Sequence, residues 1–207
     1  MNSDVIANNK AELAGTVIRP FTISHELYGE KFYTTEVKAK RLSDSEDIIP
    51  VIVSERLIDV ENDYTGSYVH IEGQFRSYNE KHGGRTKLVL MLMAKKIEMV
   101  EGEEMVNTIF LDGFVCKKPV YRVTPLGKEI SDVLLAVNRT HGKSDYIPCV
   151  CWGSNAKMAG DFEVGDRIAI NGRMQSRVYE KKIEDGTVEN HVAYEVSVGK
   201  LKKVEQD

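Results

Sequence analysis

The sequence predicts an all-β protein built from two tandem copies of one five-stranded unit. Three observations support this prediction. The chain repeats itself, each copy contains short runs rich in Val and Ile, and Gly, Pro and Asp mark turns between the runs. With 207 residues, of which 42% are apolar and 29% charged, the chain has the composition of an ordinary globular protein with room for two small domains.

The internal repeat appears when the sequence is aligned with itself at an offset of 98 residues. The matching segments are LAGTV (13–17) with LDGFV (111–115), IPV (49–51) with IPC (147–149), and, after one inserted residue, GSYVHIEG (66–73) with GDRIAING (165–172). Similarity that keeps its order over about 90 residues predicts a duplicated domain. We place the boundary in the polar link VEGEE (100–104), which gives domains 1–103 and 104–207.

Each copy contains the same predicted elements in the same order. In the second copy the strands are TIFLDGFV (108–115), ISDVLLAVN (130–138), YIPCVCW (146–152), RIAING (167–172) and HVAYEVSV (191–198). Between the third and fourth strands, Ser154 is the expected N-cap of a short helix that reaches about Phe162. The first copy has predicted strands near 12–18, 32–41, 48–54, 67–73 and 86–98, and a helix near 55–63. This order predicts two OB-folds, five-stranded Greek-key barrels whose exposed face and loops bind oligonucleotides or oligosaccharides.

Several classes of function find no support in the sequence. The first residues lack a basic and apolar leader and no apolar run reaches about 18 residues, so we expect a cytoplasmic protein without a membrane partner. The three cysteines, Cys116, Cys149 and Cys151, cannot all pair and are expected to be reduced. Nucleophile elbows, phosphate loops and metal-ligand spacings are missing. We therefore predict no enzyme activity, no catalytic residue, no metal and no cofactor.

The second copy carries a set of motifs in a specific order. They are Gly113 near the end of strand 1, Pro119, the turn from Pro125 to Gly127, Ala136 to Arg139 (AVNR), Ile147-Pro148 with a terminal Trp152, and Gly172-Arg173 with Arg177. In this order and spacing the second copy resembles the bacterial single-stranded DNA-binding protein family. The resemblance covers residues 106–203, whereas the first copy, about 9–100, is recognisable mainly through its likeness to the second.

The resemblance implies that the protein binds single-stranded DNA largely without sequence specificity, with RNA as an open alternative, in replication, recombination or repair. Members of the family stack bases on aromatic side chains and guide the phosphate backbone with Lys and Arg. The corresponding aromatic residues here are Tyr146, Trp152 and Tyr179, and the corresponding cations are Arg122, Arg139, Lys143, Arg173, Arg177, Lys181 and Lys182.

The strand YIPCVCW holds the only tryptophan of the chain. Side chains alternate between the two faces of a strand, so Tyr146 and Trp152, six residues apart, share one face. The predicted outward set is Tyr146, Pro148, Val150 and Trp152, and the predicted inward set is Ile147, Cys149 and Cys151. This alternation predicts an exposed indole rather than one packed in the core.

The first copy departs from this pattern. Ile48 stands at the position of Tyr146, and Ser54 at that of Trp152. Residues 1–103 carry 13 Lys and Arg against 17 Asp and Glu, a net charge of −4, whereas residues 104–207 carry 15 against 15. We therefore predict that the second copy holds the better site. In the first copy, the residues predicted to form a secondary DNA-binding site are Tyr33, Tyr78, Arg76, Lys81, Arg85 and Lys87.

Assembly and partners follow from the same resemblance. Family members usually assemble with four OB barrels, so a chain with two barrels is expected to form a homodimer. The sequence ends on KKVEQD without the family's long acidic tail, which puts recruitment of replication or repair proteins by that route in doubt. The alternative function is that of a protein resembling primosomal OB proteins, acting mainly as an interaction module with weak DNA binding. The missing tail and the acidic first copy favour that alternative.

Overall fold

The computed structural model describes residues 8–43, 45–82, 85–102, 104–182 and 186–205, without the side chains of residues 81, 82, 85, 86 and 141. The first six strands, β1 to β6, are Asn9–Val17, Thr22–Leu27, Glu30–Lys40, Glu46–Ser54, Tyr68–His82 and Arg85–Met99. The next six, β7 to β12, are Asn107–Val115, Val120–Val123, Glu129–Asn138, Ser144–Trp152, Arg167–Lys182 and Val188–Lys203. One α-helix, α1, spans Ser154–Gly160, and a 3-10 turn spans Thr140–Gly142.

Each half of the chain closes into a barrel. In the first barrel the sheet order is β3, β4, β6, β5, β1, and β1 returns to pair with β3. The second barrel repeats this order with β9, β10, β12, β11 and β7. In both barrels one neighbouring pair is parallel, β4 with β6 and β10 with β12. The predicted fold class of two tandem OB-folds is confirmed, and the predicted domain boundary falls between β6 and β7.

Two glycines of the repeat allow the barrels to close. A Cβ on Gly15 would lie 2.4 Å from the backbone oxygen of Lys38, and one on Gly113 would lie 2.5 Å from that of Ala136. Both distances are far inside normal contact, so only glycine permits the first strand to pass this close to its partner. The matching position of these glycines in the two copies is therefore a requirement of barrel closure.

The two barrels join through their first strands. β1 and β7 pair antiparallel from Asn9 opposite Leu111 to Leu13 opposite Asn107. The centre of this ladder is Ala11 opposite Ile109, two residues related by the repeat offset, so the barrels are related by an approximate twofold axis. The result is one continuous sheet of 12 strands that runs through both barrels.

Alternation along the strands builds the core. In β7, for example, Ile109, Leu111, Gly113 and Val115 are buried, while the alternate residues between them are partly exposed. The largest fully buried side chains include Phe75 in the first barrel and Met174 in the second. A period of two along strands with one solvated face is the pattern expected of an antiparallel barrel.

The predicted helix of the first copy is wrong. Residues 55–63 form turns, in which the carboxylates of Asp59 and Asp63 accept hydrogen bonds from the backbone amides of Glu61 and Thr65. Such local bonds compete with helical ones. The matching segment of the second copy forms α1, which buries Ala156 and Ala159 against its barrel.

The N-cap of α1 also differs from the prediction. Gly153, at a φ of 54°, precedes the helix, and Ser154 is its first residue. A left-handed φ at this position is readily adopted by glycine, which allows the chain to turn directly from β10 into the helix.

The structure adds elements that the sequence did not suggest. An extra strand follows the first strand of each barrel, β2 in the first and β8 in the second, and all residues of both are exposed. The fourth and fifth predicted strands are also much longer than expected, since β11 has 16 residues and β12 has 16. These strands continue beyond the barrel as a hairpin. No helix in the described part of the chain is long and apolar enough to cross a membrane.

The sequence predicted reduced cysteines. Cys116, Cys149 and Cys151 are all free thiols. Burial, with a smaller contribution from Asp132, raises the pKa of Cys151 to about 12, and burial also raises the pKa of Cys149. A thiol with such a raised pKa is neutral at physiological pH and a poor nucleophile.

Candidate nucleic-acid interface

The two faces of β10 separate as the sequence predicted. Ile147, Cys149 and Cys151 are buried, whereas Tyr146 is 42% exposed and Trp152 is 41% exposed. Val150 departs from its outward set, because it is buried on the outer face, where it lies opposite Asp132 of β9 and Ser197 of β12. The outer face of β10 therefore presents one ring at each end.

Trp152 lies at the last position of β10, directly before the turn into α1. The amide of Gly153 donates to the carbonyl of Glu129, which fixes the end of the strand. The helix buries its alanines into the barrel and leaves the indole at the surface. The exposed ring is available to a flat ligand from solvent.

Tyr179 lies on the β11–β12 hairpin and is 38% exposed. It faces His191 across the hairpin, with ring centroids 5.7 Å apart, and the guanidinium of Arg177 lies 5.7 Å from the tyrosine ring centroid. Both contacts hold the phenol ring in place, since cations and aromatic rings attract over this range. Its outer surface stays accessible.

The predicted cations divide into two groups. Five are exposed, although Arg122 and Arg177 each have a carboxylate partner, Asp132 at 3.0 Å and Glu195 at 3.4 Å. The Arg122–Asp132 pair is exposed on both sides and therefore weak, so Arg122 can exchange partners. The side chain of Arg177 is exposed, but its partner Glu195 is buried and also accepts from Gln175 Nε2 at 2.6 Å. The exposed group consists of Arg122, Lys143, Arg177, Lys181 and Lys182.

The second group binds buried carboxylates between the barrels. The Asp145 cluster consists of Asp145, Arg139, Arg76 and Ser77. The fully buried carboxylate of Asp145 accepts from Arg139 Nε at 2.9 Å, from Arg76 Nη1 at 2.9 Å and from the amide of Ser77 at 2.6 Å. Arg76 and Ser77 belong to the first barrel, so this cluster ties β5 to the second barrel.

The approximate twofold axis repeats this arrangement as the Asp47 cluster, which consists of Asp47, Arg41, Arg173 and Ser176. Asp47 accepts from Arg41 Nε at 2.7 Å, from Arg173 Nη1 at 3.2 Å and from the amide of Ser176 at 2.9 Å. Burial, reinforced by the positive charge of Arg41, lowers the pKa of Arg173. The guanidinium of an arginine stays protonated at physiological pH even so.

The comparison with known proteins covers the barrel that holds the three rings. Residues 106–204 match the Single-strand binding protein family. The second barrel is therefore similar to this family over just under half of the chain. The match to this family does not extend to the first barrel.

Two bacterial relatives of this family illustrate the match. Single-stranded DNA-binding protein 2 of Listeria innocua is 37% identical over 83 residues, which cover 37% of this chain and 52% of the relative. Single-stranded DNA-binding protein A of Bacillus subtilis is 35% identical over 85 residues, which cover 38% of this chain and 49% of the relative. The chain thus spans about half the length of these relatives.

A solved structure is similar in fold over both barrels. The single-stranded DNA-binding protein of Thermus aquaticus superposes with a TM-score of 0.76 at 18% identity, over 96% of this chain and 94% of that chain. At this identity the likeness concerns the fold alone, and it extends over both barrels of this chain.

The first barrel places the predicted secondary DNA-binding residues in different environments. Tyr78 is exposed on β5, with its hydroxyl 3.4 Å from the sulfur of Met91, and Lys87 is exposed on β6. Tyr33, also predicted as a secondary DNA-binding residue, is half-buried and packs against the hydrophobic core. Arg76 is part of the Asp145 cluster. The side chains of Lys81 and Arg85 lie outside the described residues.

Sequence reasoning missed a pair of rings in the first barrel. Phe32 of β3 and His25 of β2 stack with centroids 5.0 Å apart and planes 8° from parallel. Phe32 lies opposite Ser54, just as Ile130 lies opposite Trp152 in the second barrel. The repeat offset places Phe32 on Ile130 and Tyr33 on Ser131, and both of these residues are buried, so the repeat alone did not single out Phe32.

Proposed function

We propose that the chain binds single-stranded DNA, largely without sequence specificity, by stacking bases on Tyr146, Trp152 and Tyr179. The observation that carries this proposal is the exposure of all three rings on the outer surface of the second barrel. Every base offers a flat π-face, so such rings bind strands of any sequence, at about 1–3 kcal/mol per stacked base. The names of the relatives support the same ligand class.

The phosphate contacts are assigned to the exposed cations and not to the buried clusters. Arg139, Arg173 and Arg76 each give their guanidinium to Asp145 or Asp47, and moving them to a phosphate would leave a buried carboxylate short of partners. Lys143, Lys181 and Lys182 are exposed and carry no such cost. We infer that they guide the backbone, together with Arg122 and Arg177.

Titration with oligo-dT tests the proposal. We expect oligo-dT to quench the fluorescence of Trp152, the single tryptophan, and the affinity to fall as salt rises. The variant Lys181→Ala/Lys182→Ala should bind more weakly at low salt. On a plot of log affinity against log salt, its slope should be shallower by about 0.7 for each phosphate that the variant no longer neutralises.

A second pair of adjacent lysines provides the matched control. Lys95 and Lys96 are exposed on β6 of the first barrel, where Lys96 pairs with Glu98 at 2.7 Å. Lys95→Ala/Lys96→Ala removes the same charge and should keep the wild-type slope. The absence of both quenching and binding at low salt would exclude DNA binding. Equal slopes for the two variants would exclude the assigned phosphate path.

The alternative function, a protein interaction module, has one observation in its favour. Edge strand β2 exposes Ile23 and Leu27, and Tyr28 at the hairpin tip is 99% exposed at a φ of 52°. An exposed edge with apolar side chains can pair with a strand of another protein. An interaction module with weak DNA binding would show little quenching of Trp152 at oligo-dT concentrations that saturate a DNA-binding protein, so the titration also separates the two functions.

We also propose that two chains assemble into a homodimer with four barrels, serving replication, recombination or repair. Twofold dimers are the commonest oligomers, and the two barrels of one chain already repeat a twofold arrangement. Analytical ultracentrifugation should give twice the mass of one chain at micromolar concentration. A monomer mass under those conditions would contradict the proposed assembly without affecting DNA binding by the second barrel.

A further inference from the structure

The first barrel carries a groove of about 480 Å³ on its surface. Ile52 of β4, Met91 and Met93 of β6, Tyr78 of β5 and His25 of β2 line it. Arg139 of the second barrel lines it as well, so both barrels contribute to this groove. None of the residues assigned above to base stacking in the second barrel lies in it.

The aromatic end of the groove continues into the His25–Phe32 stack. His25 lines the groove, and Phe32 lies behind it near the start of β3, opposite Ser54 at the end of β4. In the second barrel the ring at this level is Trp152 on β10, and in the first barrel it is Phe32 on the neighbouring strand. The first barrel has therefore kept an aromatic group at this end of the sheet, one strand away from the expected position.

The chemistry of the groove favours flat, polarisable rings over phosphate. Arg76 and Arg139 line it, but both bind the buried carboxylate of Asp145, and Glu80 adds a negative charge to the lining. The charges therefore largely compensate one another. The thioethers of Met91 and Met93 make favourable contacts with aromatic rings, and their flexibility allows them to adapt to different ones.

The groove adjoins the proposed DNA site of the second barrel. The backbone amide of Tyr146 donates to the hydroxyl of Ser77 at 2.7 Å, and Ser77 is the neighbour of Tyr78 in the chain. Tyr146 marks one end of the exposed face of β10, and Tyr78 lines the groove. A strand that leaves Tyr146 thus meets the first barrel at the groove.

We propose that this groove is a second base-binding site, which takes stacked bases of the same single strand that the second barrel binds. The proposal rests on the proposed function. It assigns base contacts to His25, Phe32 and Tyr78, and it predicts that the first barrel adds affinity through stacking rather than through charge.

The experiment compares wild type with the full-length variant Phe32→Leu/Tyr78→Leu, using dT oligonucleotides of about 8 and about 30 nucleotides, since one OB barrel covers about 4–16. We expect the affinity for the long oligonucleotide to fall about fivefold or more, the loss of one stacked base. The affinity for the short oligonucleotide, read by quenching of Trp152, should not change. The salt slope should not change either, because stacking releases no counterions.

A control on the same strand is Tyr68→Leu. Tyr68 begins β5 and donates its hydroxyl to the carbonyl of Glu104, roughly 33 Å from Tyr78 at about 3.3 Å per residue. This variant should bind both oligonucleotides as wild type does. Wild-type affinity of the double variant for the long oligonucleotide would overturn the second site and leave the proposed function standing. Weaker binding of the short oligonucleotide by the double variant would also overturn the second site. Only a wild-type protein that binds neither oligonucleotide contradicts both proposals.

Discussion

Replacing Asp145 by alanine is expected to lower the free energy of unfolding by roughly 3–5 kcal/mol, the usual cost of removing one partner from a buried ion pair. Asp145 is fully buried, and its two oxygens accept from Arg76, Arg139 and the amide of Ser77. Without the carboxylate, two guanidinium groups lie close together without a countercharge. Urea unfolding at neutral pH, followed by circular dichroism and by Trp152 fluorescence, measures the change.

The matched control for this variant is Asp132→Ala in the same barrel. Asp132 pairs with Arg122 at 3.0 Å, but both side chains are about half exposed. Surface pairs of this kind contribute about 0–1 kcal/mol, so the control should unfold almost as the wild type does. A loss of less than about 1 kcal/mol for Asp145→Ala would show that the Asp145 cluster does not hold the barrels together.

The Asp145 and Asp47 clusters illustrate what a repeat can reveal beyond the fold. Arg41 and Asp47 in the first copy stand at the same offset of 98 from Arg139 and Asp145 in the second. An arginine and an aspartate repeated at the same spacing of six residues point to a structural pair. Sequence reasoning instead assigned Arg139 to phosphate binding. Its contact with the other barrel is non-local, so no pattern within one copy contains it.

The core and the outer face of β10 were predictable because alternation is a local property. Each side chain of a strand faces away from its neighbours, so the positions of Ile147 and Trp152 follow from counting along the chain. By the same rule, an error of one residue along a strand assigns a side chain to the opposite face of the sheet. Tyr33, predicted as a secondary DNA-binding residue, packs against the core, whereas its neighbour Phe32 on the other face of β3 stacks on His25.

The first helix could not be predicted by analogy between the copies. The second copy offers Ala156 and Ala159, which are small enough to pack a helix closely on the barrel. The first copy has Ile58 and Val60, β-branched residues with lower helix propensity, and Asp59 and Asp63, whose carboxylates bond to nearby amides. Equivalent positions in a repeat therefore adopt the same secondary structure only where their side chains permit it.

Replacing Trp152 by alanine is expected to weaken the binding of oligo-dT about tenfold or more, in line with the loss of one stacked base. The indole is 41% exposed at the end of β10, so its removal takes away a surface for stacking and little of the core. The variant has no tryptophan, so its affinity is measured by the anisotropy of a fluorescein-labelled oligonucleotide. Its salt slope should equal that of the wild type, because the substitution removes no charge.

Two further variants at this position separate stacking from simple contact area. Trp152→Phe keeps a flat ring and should retain most of the affinity, whereas Trp152→Leu keeps an apolar side chain without a π-face and should bind almost as weakly as Trp152→Ala. If leucine binds as well as phenylalanine, the contact is apolar packing and not stacking. If alanine binds as well as tryptophan, Trp152 is not part of the DNA site, and the base contacts of the second barrel must be sought at Tyr146 and Tyr179.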